Sequence, residues 1–296
     1  MDKTPRVSVI IPVYNGEAFI KDAVDSVLNQ TFRDFELIVV NDGSEDNTED
    51  VLLPYTRSIR YIKTENRGVS AARNMGIRLS KGEFVAFLDQ DDVFHPRKLE
   101  VTISYLDAHP DMAMVYTPID RIDAEGTMLQ RKRLKGHSGD IFPRLFLKSF
   151  IAPSMAVCRK KIFSEIGMFS EALSSEGEDY DLFLRIASRF KVGYVNEPLV
   201  IYRLHPGNVS KTKQEVAPFR YEQVLGIHAS HLLSHYRLGW WVYRKRMSKV
   251  YREKARVYLK QDRNEDAISA LKTSLALYPF RMDVLLMMFR LTIPGG

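Results

Sequence analysis

Cysteine is nearly absent from this sequence. Cys158 is the only one in 296 residues, so an internal disulfide is excluded, which fits a reducing compartment. No apolar run is long enough to span a bilayer. The first such run, 7-VSVIIPV-13, contains Pro12 and leads into polar residues instead of a signal-peptide cleavage site. The sequence therefore predicts a cytoplasmic protein, soluble or peripheral at the inner face of the membrane.

A strong charge of either sign is also missing. The formal net charge of +6 and the isoelectric point of about 9.2 are too mild to indicate a nucleic-acid binder, so no nucleic-acid partner is expected. Six of the seven histidines, His95, His109, His137, His228, His231 and His235, show no spacing typical of a metal site. Lysine and arginine are concentrated in residues 211–263, so any contact with an anionic surface is expected there.

The first third of the chain alternates between buried-strand patterns and amphipathic helix patterns. Helices are predicted over 17–29 and 69–79, with a short one ending at Pro54. The apolar, β-branched runs that predict strands are 7–13, 35–40, 59–64 and 83–89. Strand and helix in regular alternation, with short links, predict an α/β fold with a mostly parallel, doubly wound sheet.

The pattern changes after residue 96. A hairpin is predicted from strands 113–122 and 127–133, and a further strand from 153–158. A helix over 178–190 and an extended stretch over 191–204 complete a predicted domain of residues 1–210.

Residues 211–296 are predicted to form an all-helical extension. Near its end, Ala255, Tyr258, Ala267 and Leu271 follow the spacing of a single tetratricopeptide repeat, with Pro279 closing it. One copy is too short for a solenoid, so a helical hairpin is expected.

The stretch 84-FVAFLDQDDVFHP-96 places three carboxylates, Asp89, Asp91 and Asp92, at the tip of a buried strand. Like charges this close repel and raise each other's pKa, so the cluster indicates a bound cation. Mg²⁺ or Mn²⁺ carrying a diphosphate suits these oxygen ligands. The alternative is that Asp92 caps the helix that starts near Pro96.

Two other polar loops, 12-PVYNGE-17 and 41-NDGS-44, follow the first two strands. The carboxyl ends of parallel strands meet at one edge of a sheet, where ligands bind. We therefore expect these loops and the acid cluster to converge on one site.

Six motifs in this order resemble the family 2 glycosyltransferases, which have the A-type nucleotide-sugar-binding fold. They span about residues 6–206 and are 8-SVIIPVYNGEAFI-20, 36-ELIVVNDGSEDNT-48, 65-ENRGVSAARNMGI-77, 87-FLDQDD-92, 166-IGMFSE-171 and 177-GEDYDLFLR-185. No single motif is specific, but the set is.

The resemblance implies a role for individual residues. The nucleotide-binding residues would be Pro12, Val13, Tyr14, Glu17, Asp42, Arg73 and Asp89. The metal ligands would be Asp89 and Asp91, and the catalytic base Asp179, with Glu178 as second choice. Contacts to the diphosphate or acceptor would come from Glu178, Arg203, His205 and Ser210. Without the family, Tyr14 and Asp42 equally fit ordinary turn chemistry, Arg73 a solvated helix residue and His205 a surface histidine.

The implied function is inverting, metal-dependent transfer of a sugar from a nucleotide diphosphate donor, most simply a UDP-sugar. The acceptor would be a hydroxyl of a glycan or lipid-linked molecule, in cell-surface polysaccharide synthesis. One alternative is a nucleotidyltransferase, although the loop after the first strand has no basic residue before Lys21. The other is an inactive nucleotide-sugar-binding module with a helical interaction tail.

The segment 236–249 has two tryptophans beside a basic run. This combination predicts peripheral membrane contact, and buried packing or a protein interface is the alternative.

Overall fold

A computed structural model of the chain describes residues 4–129, 136–173, 177–208 and 214–292. The chain divides into two compact units. The first, called here the α/β unit, comprises Met1–Ile141 and Ile151–Asn208. The second, the helical unit, comprises Phe142–Phe150 and Val209–Gly296.

A seven-stranded sheet forms the centre of the α/β unit. Its strands are β1 Val7–Val13, β2 Phe35–Asn41, β3 Arg60–Lys63, β4 Phe84–Phe87, β6 Met112–Tyr116, β8 Ala156–Arg159 and β9 Lys191–Tyr194. They lie in the order β3-β2-β1-β4-β8-β6-β9, and only β8 runs antiparallel to its neighbours. The predicted mostly parallel sheet is confirmed.

A second sheet has three strands, β5 Val93–Phe94, β7 Ile119–Asp123 and β10 Val200–Leu204, in the order β5-β10-β7. The helices of the α/β unit are α1 Ile20–Leu28, α2 Thr48–Leu52, α3 Val69–Leu79, α4 Lys98–Ala108, α6 Ile162–Ile166 and α7 Glu178–Arg189.

The central sheet is covered on both faces. Val39 of β2 belongs to the apolar cluster that includes α1 and α4. Its neighbours Ile38 and Val40 pack against Ala72 of α3 instead. Because successive side chains of a strand point to opposite faces, these helices lie on opposite sides of the sheet, as a doubly wound fold requires.

Two sequence predictions need correction. The helix predicted over 17–29 begins only at Ile20, and Ala18 is exposed. The strand predicted over 113–122 is interrupted at Pro118, which has no N–H to donate, and its two halves join different sheets. Of the predicted hairpin, one bridge between Ile122 and Met128 is formed, and residues 130–133 lie outside the described ranges.

The helical unit confirms the predicted all-helical region. Its helices are α5 Phe142–Leu147, α8 Ala217–His235, α9 Gly239–Lys260, α10 Asn264–Leu277 and α11 Met282–Thr292. Three positions of the repeat-like pattern, Ala255, Ala267 and Leu271, are buried together in one cluster. The inclusion of α5 was not predicted. Within the described part of the chain, no helix combines the length and apolarity needed to cross a membrane.

Candidate functional site

The loop after β1 is hydrogen-bonded to residues 88–92, the loop between β4 and β5 that carries Asp89, Asp91 and Asp92 and is called here the acid loop. Gln90 accepts a hydrogen bond from the Tyr14 N–H at 2.8 Å and donates one to the Tyr14 carbonyl at 3.2 Å. The Tyr14 side chain is 42% exposed, and Pro12 and Val13 are buried at the end of β1. This arrangement leaves an aromatic ring available for stacking at the carboxyl edge of the sheet.

The same loop also contacts the loop after β2. Glu17 accepts hydrogen bonds from the backbone N–H of Asn47 at 3.0 Å and from its side-chain amide at 2.8 Å. Asn15, at a φ of 49°, accepts from the Glu45 N–H and donates its own N–H to Ser44. Glu17 therefore ties two loops together, as expected of a residue that supports the Tyr14 loop.

Asp42 is buried directly after β2. Its two oxygens accept backbone hydrogen bonds from Arg67 at 2.9 Å and Gly68 at 2.7 Å. Gly68 has a φ of 89° and immediately precedes α3, a conformation in which a side chain would be strained. Asp42 thus holds the start of α3, while each oxygen keeps a lone pair that a ligand N–H could use.

Arg73 of α3 joins the acid loop to the start of α7. Its side chain is 4% exposed, and its guanidinium donates to Asp89 at 2.7 Å and to Glu178 at 3.0 Å. The guanidinium also lies 5.1 Å from the ring centre of Phe169. These contacts overturn the alternative of a solvated helix residue and place the Arg73 guanidinium against Asp89 of the acid cluster. The neighbouring carboxylates raise the pKa of Arg73 despite its burial, which alone would lower it.

Asp91 faces the segment that follows β10. Its Oδ2 lies 3.0 Å from His205 Nε2 and accepts a hydrogen bond from the Asn208 amide at 3.0 Å. Burial and the charge of Asp89 raise the pKa of Asp91. His205 is therefore part of this polar cluster, and Ser210 lies outside the described residues.

Asp92 is buried beside Asp91 and accepts a hydrogen bond from the Arg203 N–H at 3.4 Å. Burial and the charges of Asp89 and Asp91 raise its pKa well above the ordinary value. The N-cap position of α4 is occupied by Arg97, so the alternative that Asp92 caps this helix is wrong.

Arg203 on β10 is buried, and all its guanidinium nitrogens donate to protein acceptors. They bind Asp22 at 2.8 Å and the carbonyls of Asp91 and Ala124, each at 3.3 Å. The side chain therefore fastens the acid loop to α1 in this structure.

Asp179 lies in the first turn of α7, half-buried, next to the ion pair of Glu178 with Arg73. Loss of hydration and the adjacent charge of Glu178 raise the pKa of Asp179 to about 7, although Arg73 opposes the shift. A carboxylate with this pKa can take up a proton at neutral pH. Glu178, by contrast, is already paired in the buried ion pair.

The cluster partly fits a divalent cation. Among the described residues, no three His, Cys, Asp or Glu side chains are arranged to hold a metal by themselves. Two adjacent ligands of an octahedral ion with bonds of about 2.1 Å lie about 3 Å apart. Asp91 Oδ2 and His205 Nε2 lie 3.0 Å apart, which fits this spacing and is equally the length of the direct hydrogen bond between them. Burial and neighbouring charge raise the pKa values of Asp91 and Asp92, and a bound cation would favour their ionised forms.

Several contributing residues were missed in the sequence. Gln90 and Asn208 make the contacts to Tyr14 and Asp91 described above. The Ser154 hydroxyl accepts from the Asp89 N–H at 3.1 Å. Lys98 is fully buried and donates to Thr117 and to a backbone carbonyl, and burial lowers its pKa to about 7. Only the position of Gln90 between two acids could have indicated a role.

A mostly parallel sheet with polar loops and acids at the carboxyl ends of its strands is the architecture of A-type glycosyltransferases. The family model for glycosyl transferase family 2 matches residues 8–167. The chain belongs to this family.

Curated relatives agree with this assignment. The chain is 36% identical to uncharacterised glycosyltransferases of Rickettsia felis, over 70% of this chain and 35% of that protein, and of Rickettsia typhi, over 71% and 67%. It is 28% identical to an Escherichia coli chondroitin synthase, over 78% of this chain and 34% of the synthase. The chain thus spans about a third of the length of two of these relatives.

Solved structures share the fold. Residues 1–349 of S. aureus TarS in complex with UDP-GlcNAc match with a TM-score of 0.60 and 18% identity, over 92% of this chain and 89% of that fragment. A mannosyltransferase from Pyrobaculum calidifontis, in complex with GDP-Man and Mn²⁺, matches with a TM-score of 0.61 and 17% identity, over 98% and 80%.

Proposed function

We propose that the α/β unit is an inverting, metal-dependent glycosyltransferase that uses a UDP-sugar and a hydroxyl acceptor on a glycan or lipid-linked molecule. Residues 1–210 would form the catalytic domain and 211–296 a helical extension. The observation that carries the proposal is the buried Arg73, which pairs with both Asp89 and Glu178. It connects the acid loop of the donor side to Asp179, the neighbour of Glu178.

The donor would bind at the three joined loops. Tyr14 would stack on the base, and Asp42 would accept the imide N–H that uracil has and cytosine lacks. Glu17 would hold the Tyr14 loop, with Pro12 and Val13 lining the nucleotide pocket. Asp89, next to Arg73, would reach the ribose or the metal.

Mg²⁺ or Mn²⁺ would be held by Asp91, with Asp89 or His205 beside it and the donor diphosphate completing its coordination. Such ions commonly take one or two carboxylates and fill the remaining positions with phosphate oxygens and water. When bound, the ion would neutralise the charge that develops on the leaving diphosphate. Arg203 would keep the acid loop in place for this contact.

Asp179 would remove the proton of the acceptor hydroxyl. A single base opposite the leaving group favours direct displacement, which inverts the anomeric centre. Its pKa of about 7 is suited to this role near neutral pH. Glu178 would orient Arg73 through their ion pair.

Named relatives support a role in polysaccharide synthesis. They include chondroitin synthase and a Pasteurella multocida hyaluronan synthase, 30% identical over 72% of this chain. The solved structures were obtained with different nucleotides, UDP-GlcNAc and GDP-Man, so the donor must be determined directly.

The decisive experiment is calorimetric titration with UDP, GDP, CMP and dTDP, each with and without Mn²⁺. We expect UDP to bind, and binding to be lost without metal and in Asp91→Ala. Asp111→Ala is the control, because Asp111 is an exposed acid of the same unit that pairs with Lys191 on the surface. Nucleotide binding that does not depend on metal would overturn the metal assignment. If none of the four nucleotides binds, the proposed glycosyltransferase activity is overturned and only the fold assignment remains.

A further inference from the structure

The N-terminal turns of α9 display both tryptophans of the chain. Trp240 is 61% exposed and Trp241 is 39% exposed. The Arg244 guanidinium lies 4.7 Å from the ring centre of Trp240, and Lys245 Nζ lies 4.4 Å from that of Trp241. The exposed indoles thus each have a cation on one face.

The helical unit exposes further apolar side chains after α10. Arg244 donates hydrogen bonds to the carbonyls of Ala276 and Leu277, which brings the end of α10 beside the start of α9. Phe280, three residues after Leu277 and so within about 10 Å of it, is 85% exposed. Met282, Leu285 and Leu286 follow on one face of α11 and are exposed as well.

The charge around these side chains is positive. The helical unit has 18 Lys and Arg against 7 Asp and Glu, a formal charge of +11, whereas the α/β unit carries −5. Residues 223–252 contain no acid. Lys245 and Lys249 are exposed, and among the described residues neither pairs with a carboxylate. Partial burial and the charges of Arg246 and Arg252 lower the pKa of Lys249, and Glu253 opposes the shift.

We propose that Trp240, Trp241, Lys245, Lys249 and Phe280, here called the indole surface, bind the headgroup region of an anionic phospholipid membrane. Indoles favour the depth of lipid headgroups, and neighbouring cations meet anionic lipid. The surface contains no residue of the donor site, so it can be tested separately from the proposed function.

Other occupants fit this surface less well. A second copy would bring one unit of +11 against another, and like charges oppose association. A single-stranded nucleic acid could stack on the indoles, but the exposed Met282 and Leu286, which follow Phe280 in the chain, would offer it neither a ring nor a charge. Those same aliphatic side chains gain from contact with lipid.

Tryptophan fluorescence reports on this surface alone, because the full chain has no other tryptophan. Vesicles of phosphatidylcholine with phosphatidylglycerol should shift the emission to shorter wavelength, and lipids brominated on their acyl chains should quench it. Vesicles of phosphatidylcholine alone should do neither at moderate salt. A shift without vesicles that grows with protein concentration would identify self-association and overturn the proposal, as would a shift caused only by an RNA oligonucleotide.

Co-sedimentation of the full chain with the same vesicles tests the cations. The double variant Lys245→Glu with Lys249→Glu should weaken binding about 30-fold or more, since two surface cations are lost. The matched control is Arg256→Glu with Lys260→Glu, with the same spacing and charge change about 16 Å further along α9. Equal losses in both variants, or none in either, would overturn the assignment to the indole surface.

Discussion

Arg73 and Glu178 lie 105 residues apart in the chain, yet their side chains form a buried ion pair of 3.0 Å. The second guanidinium nitrogen of Arg73 pairs with Asp89 at 2.7 Å. One cation from α3 therefore sets the position of the acid loop after β4 relative to the first turn of α7. In the proposed mechanism the acid loop contacts the donor and the first turn of α7 carries the base. Arg73 would therefore set the distance between the donor and the base.

Arg73→Ala should destabilise the protein strongly, because it leaves two carboxylates near each other without their cation. Removing one partner of a buried pair typically costs about 3–5 kcal/mol of unfolding free energy. Urea unfolding would measure the loss. Arg78→Ala, at an exposed position of the same helix, should change stability by less than about 0.5 kcal/mol. Similar effects of the two substitutions would show that the ion pairs of Arg73 do not organise the site.

Asp179→Asn should abolish the proton transfer while leaving donor binding intact. We expect kcat to fall by about 10²–10⁴-fold, the usual contribution of a positioned base, with the Kd for UDP nearly unchanged. The wild-type rate should rise with pH through about 7, since Asp179 acts only when it is deprotonated. This rise should be missing from the residual activity of the variant.

Glu178→Gln is the contrasting variant. It removes a charge from the same turn but breaks the pair with Arg73, so stability and donor binding should change along with kcat. If Glu178→Gln instead removed the pH-dependent rise and Asp179→Asn kept it, Glu178 would be the base.

Stability without metal should fall as the pH rises. The folded-state pKa values of Asp91 and Asp92 lie above the ordinary value of about 4. Between the two values the folded protein binds more protons than the unfolded chain, so the unfolding free energy declines with rising pH and levels off above the folded-state pKa values. Thermal unfolding in metal-free buffer across this range would show the decline.

Mn²⁺ should reverse this loss, because it replaces the protons that the acids release. At a concentration about 100-fold above its Kd, Mn²⁺ should raise the Tm by roughly 5–10 °C at pH values above the folded-state pKa values of Asp91 and Asp92. The increase should be smaller at pH values between the ordinary and the folded-state pKa values, where the acids are partly protonated. Asp91→Asn should remove the effect, and Asp111→Asn should retain it. A metal effect independent of pH would contradict binding at the acid cluster.

Gln90→Glu should weaken UDP binding about 10-fold. The new carboxylate can accept from the Tyr14 N–H but cannot donate to the Tyr14 carbonyl, and it adds charge beside Asp89 and Asp91. Titration calorimetry would measure the change. Gln223→Glu, an exposed substitution in α8 with the same charge change, should bind as the wild type does. Unchanged binding in Gln90→Glu would remove Gln90 from the support of the Tyr14 loop.

The sequence predicted the regular part of the fold well. The strands β1 and β2 and the helices α3 and α7 lie within one residue of their expected positions, since buried runs and helical periodicity depend on local order alone. The prediction of one continuous strand over 113–122 was wrong. A continuous apolar pattern does not reveal that the two halves of the segment pair in different sheets. The choice of sheet depends on partners distant in the chain.

For the site, the sequence by itself determined the residue types at one edge of the sheet: the three acids after β4, the Tyr14 loop and the acids opening α7. Only the tertiary structure decided which of them meet. Arg73 with Glu178, and Asp91 with His205 and Asn208, are contacts across about 100 residues or more. The tertiary structure also decided the raised pKa of Asp179, which follows from its loss of hydration and from the charge of Glu178. Burial and neighbouring charge depend on the packing of the whole chain, and the spacing of residues along the sequence does not determine them.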